Sequence, residues 1–324
     1  MAESKPVNFG YAYLAASGPS FDNCCFIGRR FDADLGWDET YGKESWVCSI
    51  KRNPKPTGEN DIYSLSRHKG TVDRLTGLFR GDSGTVYACT LGGYIWINSH
   101  LDIKFGEGKW KTLDMQGVSL TGMFGLDEKN IFTWGPITQF NRLYRYDGRY
   151  WLDGPEPSFE ITAMHAAGPE LAYAVGSKGE IARLEDKTWT QVESPAGEKL
   201  TGVFVASPDE IYACGDKGGI FEGDSKSWRK IGEGPGPLFC VAKYKDEVFV
   251  GAGPLGTARR AAGAEAFEVY KPKLHAVSFD TRDQLVVGAT DRVFGTHDPA
   301  LFRGTGADWL TQNLAGKPLA FWEK

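Results

Sequence analysis

Five histidines and six cysteines are the residues of this 324-residue chain from which a metal site or a nucleophile would first be assembled. His68, His100, His165, His275 and His297 form no H-x-x-x-H or H-E-x-x-H pair, the spacing that puts two imidazoles on one face of a helix to hold zinc. Cys24, Cys25, Cys48, Cys89, Cys214 and Cys240 contain no C-x-x-C pair, so they read as reduced thiols in a core. The vicinal Cys24 and Cys25 could react, but strand alternation sends one to each face. No G-x-S-x-G elbow or phosphate-binding loop is present. A sialidase-like site would need an arginine cluster for a carboxylate, a tyrosine nucleophile and acidic partners, and no local sequence assigns those roles. The reading therefore names no catalytic residue, metal or cofactor.

The elements that would have to position any site announce themselves by repetition. "LTGLF" at Leu75 returns as "LTGMF" at Leu120, "ITAMH" at Ile161, "LTGVF" at Leu200, "LFCVA" at Leu238 and "LHAVS" at Leu274, in steps of 45, 41, 39, 38 and 36 residues. Such a period marks a repeat architecture. A second β-rich run follows each opening, as in "VYACT" from Val86 and "IYACG" from Ile211. "LYRYDGRYW", "IARLEDKTW", "IFEGDSKSW" and "LFRGTGADW" each place an aliphatic residue eight positions before Trp151, Trp189, Trp228 or Trp309, which predicts a third strand, a polar turn and a fourth strand opening on tryptophan. Four strands per forty residues suit a propeller blade.

The expected fold is an all-β propeller of four-stranded antiparallel blades in one domain over residues 1–324. Seven blades are expected, with six or eight as the neighbouring counts. Residues 1–70 supply a divergent first blade with runs at Tyr11, Asn23, Glu44 and Asp61, and residues 75–318 supply six repeats. The tail 319–324, "LAFWEK", is expected to pair with the first blade and close the ring. His165 and His275 fall on innermost strands, where they can face the channel, although a hydrogen-bonded structural role is the ordinary outcome.

The segments from Leu120, Ile161 and Leu200 resemble the bacterial propellers described as BNR-like or WD-repeat-like, over roughly residues 75–310. The resemblance implies the fold and little about activity. "YDGRYW" echoes the Asp box of sialidase-type propellers without its leading serine, and Asp147 and Gly148 are adjacent, so it implies a stabilised turn. Trp37 and Asp38 are the one Trp-Asp pair.

Departures from the repeat are where a site could be added, because loops on a rigid scaffold commonly carry binding residues. Extra length appears between the second and third strands of three blades: "RRFDADLGWDETYGK" from Arg29, "GPITQFN" before the third strand of the Leu120 blade, and "TDRVFGTHDPA" in the last blade. These connections leave one face, which defines a candidate partner-binding crescent of Arg29, Arg30, Phe31, Trp37, Tyr41, Phe140, Asn141, Arg292, Phe294 and His297. The glycine pairs of "GSKGEI" and "GDKGGI" read as hairpin turns.

A net charge of -5 speaks against a dedicated nucleic-acid binder. No stretch approaches the ~18 apolar residues of a membrane span, and the N-terminus lacks a basic segment leading into an apolar run, which points to the cytoplasm. The leading expectation is a non-catalytic propeller that binds another protein, in its narrowest form a bacterial cytosolic immunity or adaptor protein that blocks a toxin or effector. A lectin presenting repeated tryptophans, or a sialidase-like glycosidase or lyase at the channel mouth, are the alternatives.

Overall fold

The computed structural model describes residues 9–32, 42–52, 55, 63–99, 110–138, 140–289, 292–296 and 310–313. Its strands form seven four-stranded antiparallel sheets, each a meander in chain order. The first holds β1 (Phe9–Ser20), β2 (Asn23–Asp32), β3 (Gly42–Arg52) and β4 (Tyr63–Thr71). The second holds β5 (Leu75–Arg80), β6 (Val86–Thr90), β7 (Tyr94–Asn98) and β8 (Lys111–Asp114); the third β9 (Gly122–Asp127), β10 (Asn130–Ile137), β11 (Phe140–Tyr146) and β12 (Trp151–Asp153). The fourth holds β13 (Ile161–Gly168), β14 (Leu171–Gly176), β15 (Ile181–Glu185) and β16 (Thr188–Val192); the fifth β17 (Leu200–Ser207), β18 (Glu210–Gly215), β19 (Gly219–Gly223) and β20 (Trp228–Glu233). The sixth holds β21 (Cys240–Tyr244), β22 (Glu247–Gly251), β23 (Thr257–Arg260) and β24 (Glu268–Lys271); the seventh β25 (Ala276–Asp280), β26 (Leu285–Ala289), β27 (Arg292–Thr296) and β28 (Leu310–Asn313).

The architecture is a β-propeller. First strands lie side by side in the order β1, β5, β9, β13, β17, β21, β25, and β25 lies beside β1. The aliphatic residues that open the six repeats, Leu75 through Leu274, are all buried between sheets. The expected closing strand, 319–324, lies outside the described residues.

A threonine after that aliphatic residue ties neighbouring sheets. The Oγ1 of Thr76 donates to the Leu120 carbonyl at 2.7 Å, that of Thr162 to Leu200 at 2.6 Å, and that of Thr201 to Leu238 at 2.7 Å. Each bond crosses to the opening residue of the next sheet. The glycine that follows lets the sheets come that close: a Cβ on Gly77 would lie 2.5 Å from the Met123 amide nitrogen. Between the first and seventh sheets a denser set of bonds serves the same purpose. Ala16 N donates to Ser278 Oγ (2.9 Å), Gly18 N to Asp280 Oδ2 (3.0 Å) and Phe21 N to Gln284 Oε1 (2.8 Å), while Asp283 N and Gln284 N both donate to the Pro19 carbonyl.

Several expectations about loops are corrected. β2 continues to Asp32, with β1 on one side and β3 on the other, so Arg29, Arg30 and Phe31 belong to a paired strand rather than a loop. "GPITQFN" lengthens the β10–β11 hairpin: Pro136 pairs with Asn141 and Ile137 with Phe140, leaving a two-residue turn with Thr138 at φ 51°. In the seventh sheet the third strand is Arg292–Thr296, not "LFRG", because Val286 to Ala289 pair directly with Arg292 to Gly295. The extra sequence there falls between the third and fourth strands. Trp37, Tyr41 and His297 lie outside the described residues, as does Trp309. His275 precedes β25 instead of lying in it.

Replacing Thr201 with valine keeps its shape and removes the bond to Leu238. Equilibrium denaturation is expected to show a loss of about 1–2 kcal/mol, with Thr201→Ser losing less.

Candidate functional site

The repeat stacks equivalent residues around the axis, and the fifth residue of the opening motif lines it. Counting from each opening residue, this position is Phe79, Phe124, His165, Phe204 and Ser278; in the sixth sheet it is Ala242, which is buried and does not line the cavity. Together with β1 these strands enclose a cavity of about 440 Å³, walled also by Met123, Trp134, Met164, Phe279 and Arg282. Two methionines and several aromatic rings make the wall largely apolar.

His165 occupies a position that is phenylalanine in the sheets on either side. Its ring packs between Phe124 (centroids 4.5 Å apart) and Phe204 (4.4 Å), and Nδ1 accepts a bond from Val205 N at 3.1 Å. Ser278, at the equivalent position, accepts from Ala16 N in the same way. A polar residue here pins the next sheet's first strand. Because Val205 donates to Nδ1, the neutral ring carries its proton on Nε2. Burial pushes its pKa from 6.5 down to about 4.

At one end of the cavity lies a charged cluster that the sequence reading did not single out. Asp280 Oδ2 accepts from Ser17 Oγ (3.2 Å), Gly18 N (3.0 Å) and Arg282 Nη2 (2.9 Å); Oδ1 accepts from Arg282 Nε (3.1 Å). Arg282 also reaches Asp82 at 3.0 Å and lies 5.4 Å over the Phe79 ring. Ser17 Oγ accepts from Arg80 N as well, so the first, second and seventh sheets meet at one hydroxyl. The repeat did carry a signal: Asp280 stands where the other five openings have Gly81, Leu126, Ala167, Ala206 and Tyr244. With both oxygens occupied by donors, Asp280 is a fastener between sheets. It is not arranged as one of the two separated carboxylates that glycoside hydrolysis uses.

Other residues weighed for chemistry have structural work. Cys24 packs with Phe26 and Val286, and Cys25 with Leu75 and Leu78, so the vicinal pair points to opposite faces of β2. Burial raises the thiol pKa of Cys89 to about 11 and of Cys214 to about 12, which suppresses thiolate chemistry. Trp151 rests on Tyr146, Trp228 meets Tyr173 edge-on, and Trp189 Nε1 donates to the Pro155 carbonyl, so these three rings pack within and between sheets. Asp147 Oδ1 accepts from Arg149 N and Tyr150 N, and Asp224 Oδ1 from Lys226 N and Ser227 N, which makes both aspartates turn stabilisers. Gly179 and Gly218 take φ of 86° and 93° in hairpin turns, where a side chain would be strained. Among the described residues no three His, Cys, Asp or Glu side chains converge as metal ligands, and no helix is long and apolar enough to cross a membrane.

The proposed crescent is only partly assembled. Arg29 is buried at 6% exposure, which removes it from any surface. Arg30 is half-buried and paired with Glu44 at 3.1 Å. The turns between second and third strands, and the connections from each fourth strand to the next sheet, share one face. By strand ends that face carries the end of β2, the β10–β11 turn with Phe140 and Asn141, and the start of β27 at Arg292. Phe294 sits mid-strand in β27. Sequence reasoning missed an apolar cluster on the first face: Val72 is 85% exposed, Tyr94 41% and Leu91 37%. Leu91 N donates to the Arg74 carbonyl and Gly92 N to the Asp73 carboxylate, which holds the two loops together.

No protein-family model matches the chain, and no curated protein does. Solved structures match at the level of fold. The WD40 β-propeller domain of Doa1 superposes with a TM-score of 0.64 at 7% identity, covering 98% of this chain and 100% of that one. YCF48 bound to D1 peptide gives 0.56 at 11% identity (89% and 93% covered), and the WD40 repeats of RRP9 give 0.57 at 10% identity (70% and 78%). The chain shares the propeller fold of WD-repeat domains.

His165 makes a pH dependence that can be measured. Its folded pKa lies below its unfolded value, so the unfolded chain takes up the proton first as pH falls. The stability it contributes is full above about pH 6.5 and is lost progressively towards pH 4, by at most about 3 kcal/mol. His165→Phe is expected to flatten the melting temperature between pH 6.5 and 4.5 relative to the parent protein.

Proposed function

We propose that this chain is a non-catalytic, protein-binding propeller whose seven sheets are the blades of one closed ring. It engages another protein through the face that carries the second-to-third-strand turns. The observation that supports this most is the set of Val72, Leu91 and Tyr94, three apolar residues exposed on hydrogen-bonded loops of one face. Contiguous exposed apolar surface on a rigid scaffold commonly marks an interaction site.

Ring order extends the site on both sides. The seventh sheet contributes the start of β27 at Arg292, and the first contributes Arg30 and Phe31 at the end of β2. The third contributes Phe140 and Asn141. The sequence joining β2 to β3, with Trp37 and Tyr41, adds aromatic residues of the kind that anchor interfaces. The WD40 propeller domain of Doa1, and YCF48 in its complex with a peptide, fit the same reading. In its narrowest form the partner is a toxin or effector, and the chain a bacterial cytosolic adaptor or immunity protein.

A photo-crosslinking residue at position 94 is expected to trap one protein partner in cells, and the same residue at Val269, an exposed site on β24, is not. Val72→Glu combined with Tyr94→Ala should weaken binding of that partner at least tenfold with the melting curve unchanged. Equal trapping at both positions would remove the support for this face.

A further inference from the structure

Lys69, on β4 of the first sheet, reaches to a corner made by two tryptophans of the second. Its Nζ lies 4.1 Å over the Trp96 ring and 5.8 Å over that of Trp110, and it donates to Thr112 Oγ1 at 3.1 Å. The two indole centroids are 6.2 Å apart and the ring planes are inclined at 67°, so the rings form two walls rather than a stack. Trp96 is buried and Trp110 half-buried, and both lie within cation–π range of the ammonium. Among the described residues no carboxylate pairs with Lys69, and burial lowers its pKa from the ordinary lysine value. A lysine held in this way has given up hydration without gaining a counter-ion.

We propose that Trp96 and Trp110 form a binding site for a methylated ammonium group, and that Lys69 is its tethered occupant, displaced when the ligand binds. The chemistry of the walls sets the ligand. An indole face attracts positive charge but is a weak hydrogen-bond acceptor, so a primary ammonium is poorly matched to it. Of the three N–H donors on Lys69, the structure gives one a protein acceptor, Thr112 Oγ1. A quaternary ammonium has no N–H to satisfy, and its methyl groups bury apolar surface against the rings. An uncharged group of the same shape loses the cation–π attraction, and an anion is repelled by the negative ring faces. Lys69 can yield its place because it is half-buried on the outermost strand of its sheet, and its ammonium regains water when it swings out. The corner adjoins exposed apolar residues: Tyr94 is two residues from Trp96 on β7 and on the same side of that sheet, and Val72 directly follows β4.

Binding at this corner needs no protein partner, so this reading and that of the protein-binding face can fail separately. The test uses choline and its uncharged analogue, in which a tert-butyl group replaces the trimethylammonium, titrated into the full chain and followed by saturation-transfer NMR on their methyl protons. Choline is expected to bind saturably, and the uncharged analogue at least tenfold more weakly. Lys69→Ala, which vacates the corner, should tighten choline about tenfold, and Thr112→Val, which releases the Lys69 ammonium, should tighten it a few-fold. Trp110→Ala should abolish binding; if that variant does not fold, Trp110→Leu, which keeps apolar bulk without the ring face, serves instead. The same head group occurs free and on trimethylated lysine. A short peptide carrying that residue, run beside choline, separates the two sources, since only a peptide can also touch Val72 and lose affinity in Val72→Glu. No saturable binding of choline or of the peptide to the parent protein, equal binding of the uncharged analogue, or an affinity unchanged in Lys69→Ala would each overturn the proposal.

Discussion

The fold depends on how closely the first strand of each sheet can approach the next. In three of the four repeats that open on "LTG" or "ITA", a threonine hydroxyl spans that gap to the next opening residue's carbonyl at 2.6–2.7 Å, while Thr121 bonds the Trp134 carbonyl of its own sheet. A single such bond contributes modestly, about 1 kcal/mol, but it also fixes the distance and register at which the aliphatic residues of adjacent sheets interlock. Valine in its place would retain the shape and leave a buried carbonyl unmatched. A side chain at Gly77 would push its strand away from Met123, whereas Ala163 is accommodated at the equivalent place in the Ile161 repeat. The three-residue opening is thus a device for stacking sheets, and its recurrence is the reason for the period.

Where the device is missing, other groups take its place. The first sheet has no "LTG" opening, and it meets the seventh through Ser278, Asp280, Arg282 and Gln284, with Ser17 shared among three sheets. The most polar part of the channel is therefore the join between the chain's first and last sheets. His165 shows the same substitution on a smaller scale. It keeps the aromatic packing of Phe124 and Phe204 and adds a bond to the following strand. Both departures from the repeat fasten sheets.

Strand positions were legible in the sequence because each depends on local alternation and on residues repeated at equivalent places. The tryptophans at 151, 189 and 228 and the glycines at 179 and 218 could be assigned to packing and turns for the same reason. Loop lengths misled where a strand could simply run on. Arg29, Arg30 and Phe31 look like the start of a long connection, yet partners on both sides keep β2 extended, and nothing in the local pattern marks where such pairing stops. The "RVFGT" run was read as insertion because alignment on Trp309 hid the short hairpin from β26. The channel cluster was obscured differently: Ser17, Asp82, Asp280 and Arg282 are far apart in sequence and meet only when the seventh sheet lies against the first. Only the charge at position 280, in a column of uncharged residues, gave a hint.

Hydrogen exchange measured peptide by peptide, on the parent protein and on Asp280→Asn, tests the interdependence of the sheets most directly. A ring held as one unit predicts that weakening the join of β1 and β25 speeds exchange in β13 and β17 as well, on the far side of the channel. Faster exchange confined to β1, β2, β25 and β26 would contradict it and show that each sheet relies on its immediate neighbours alone.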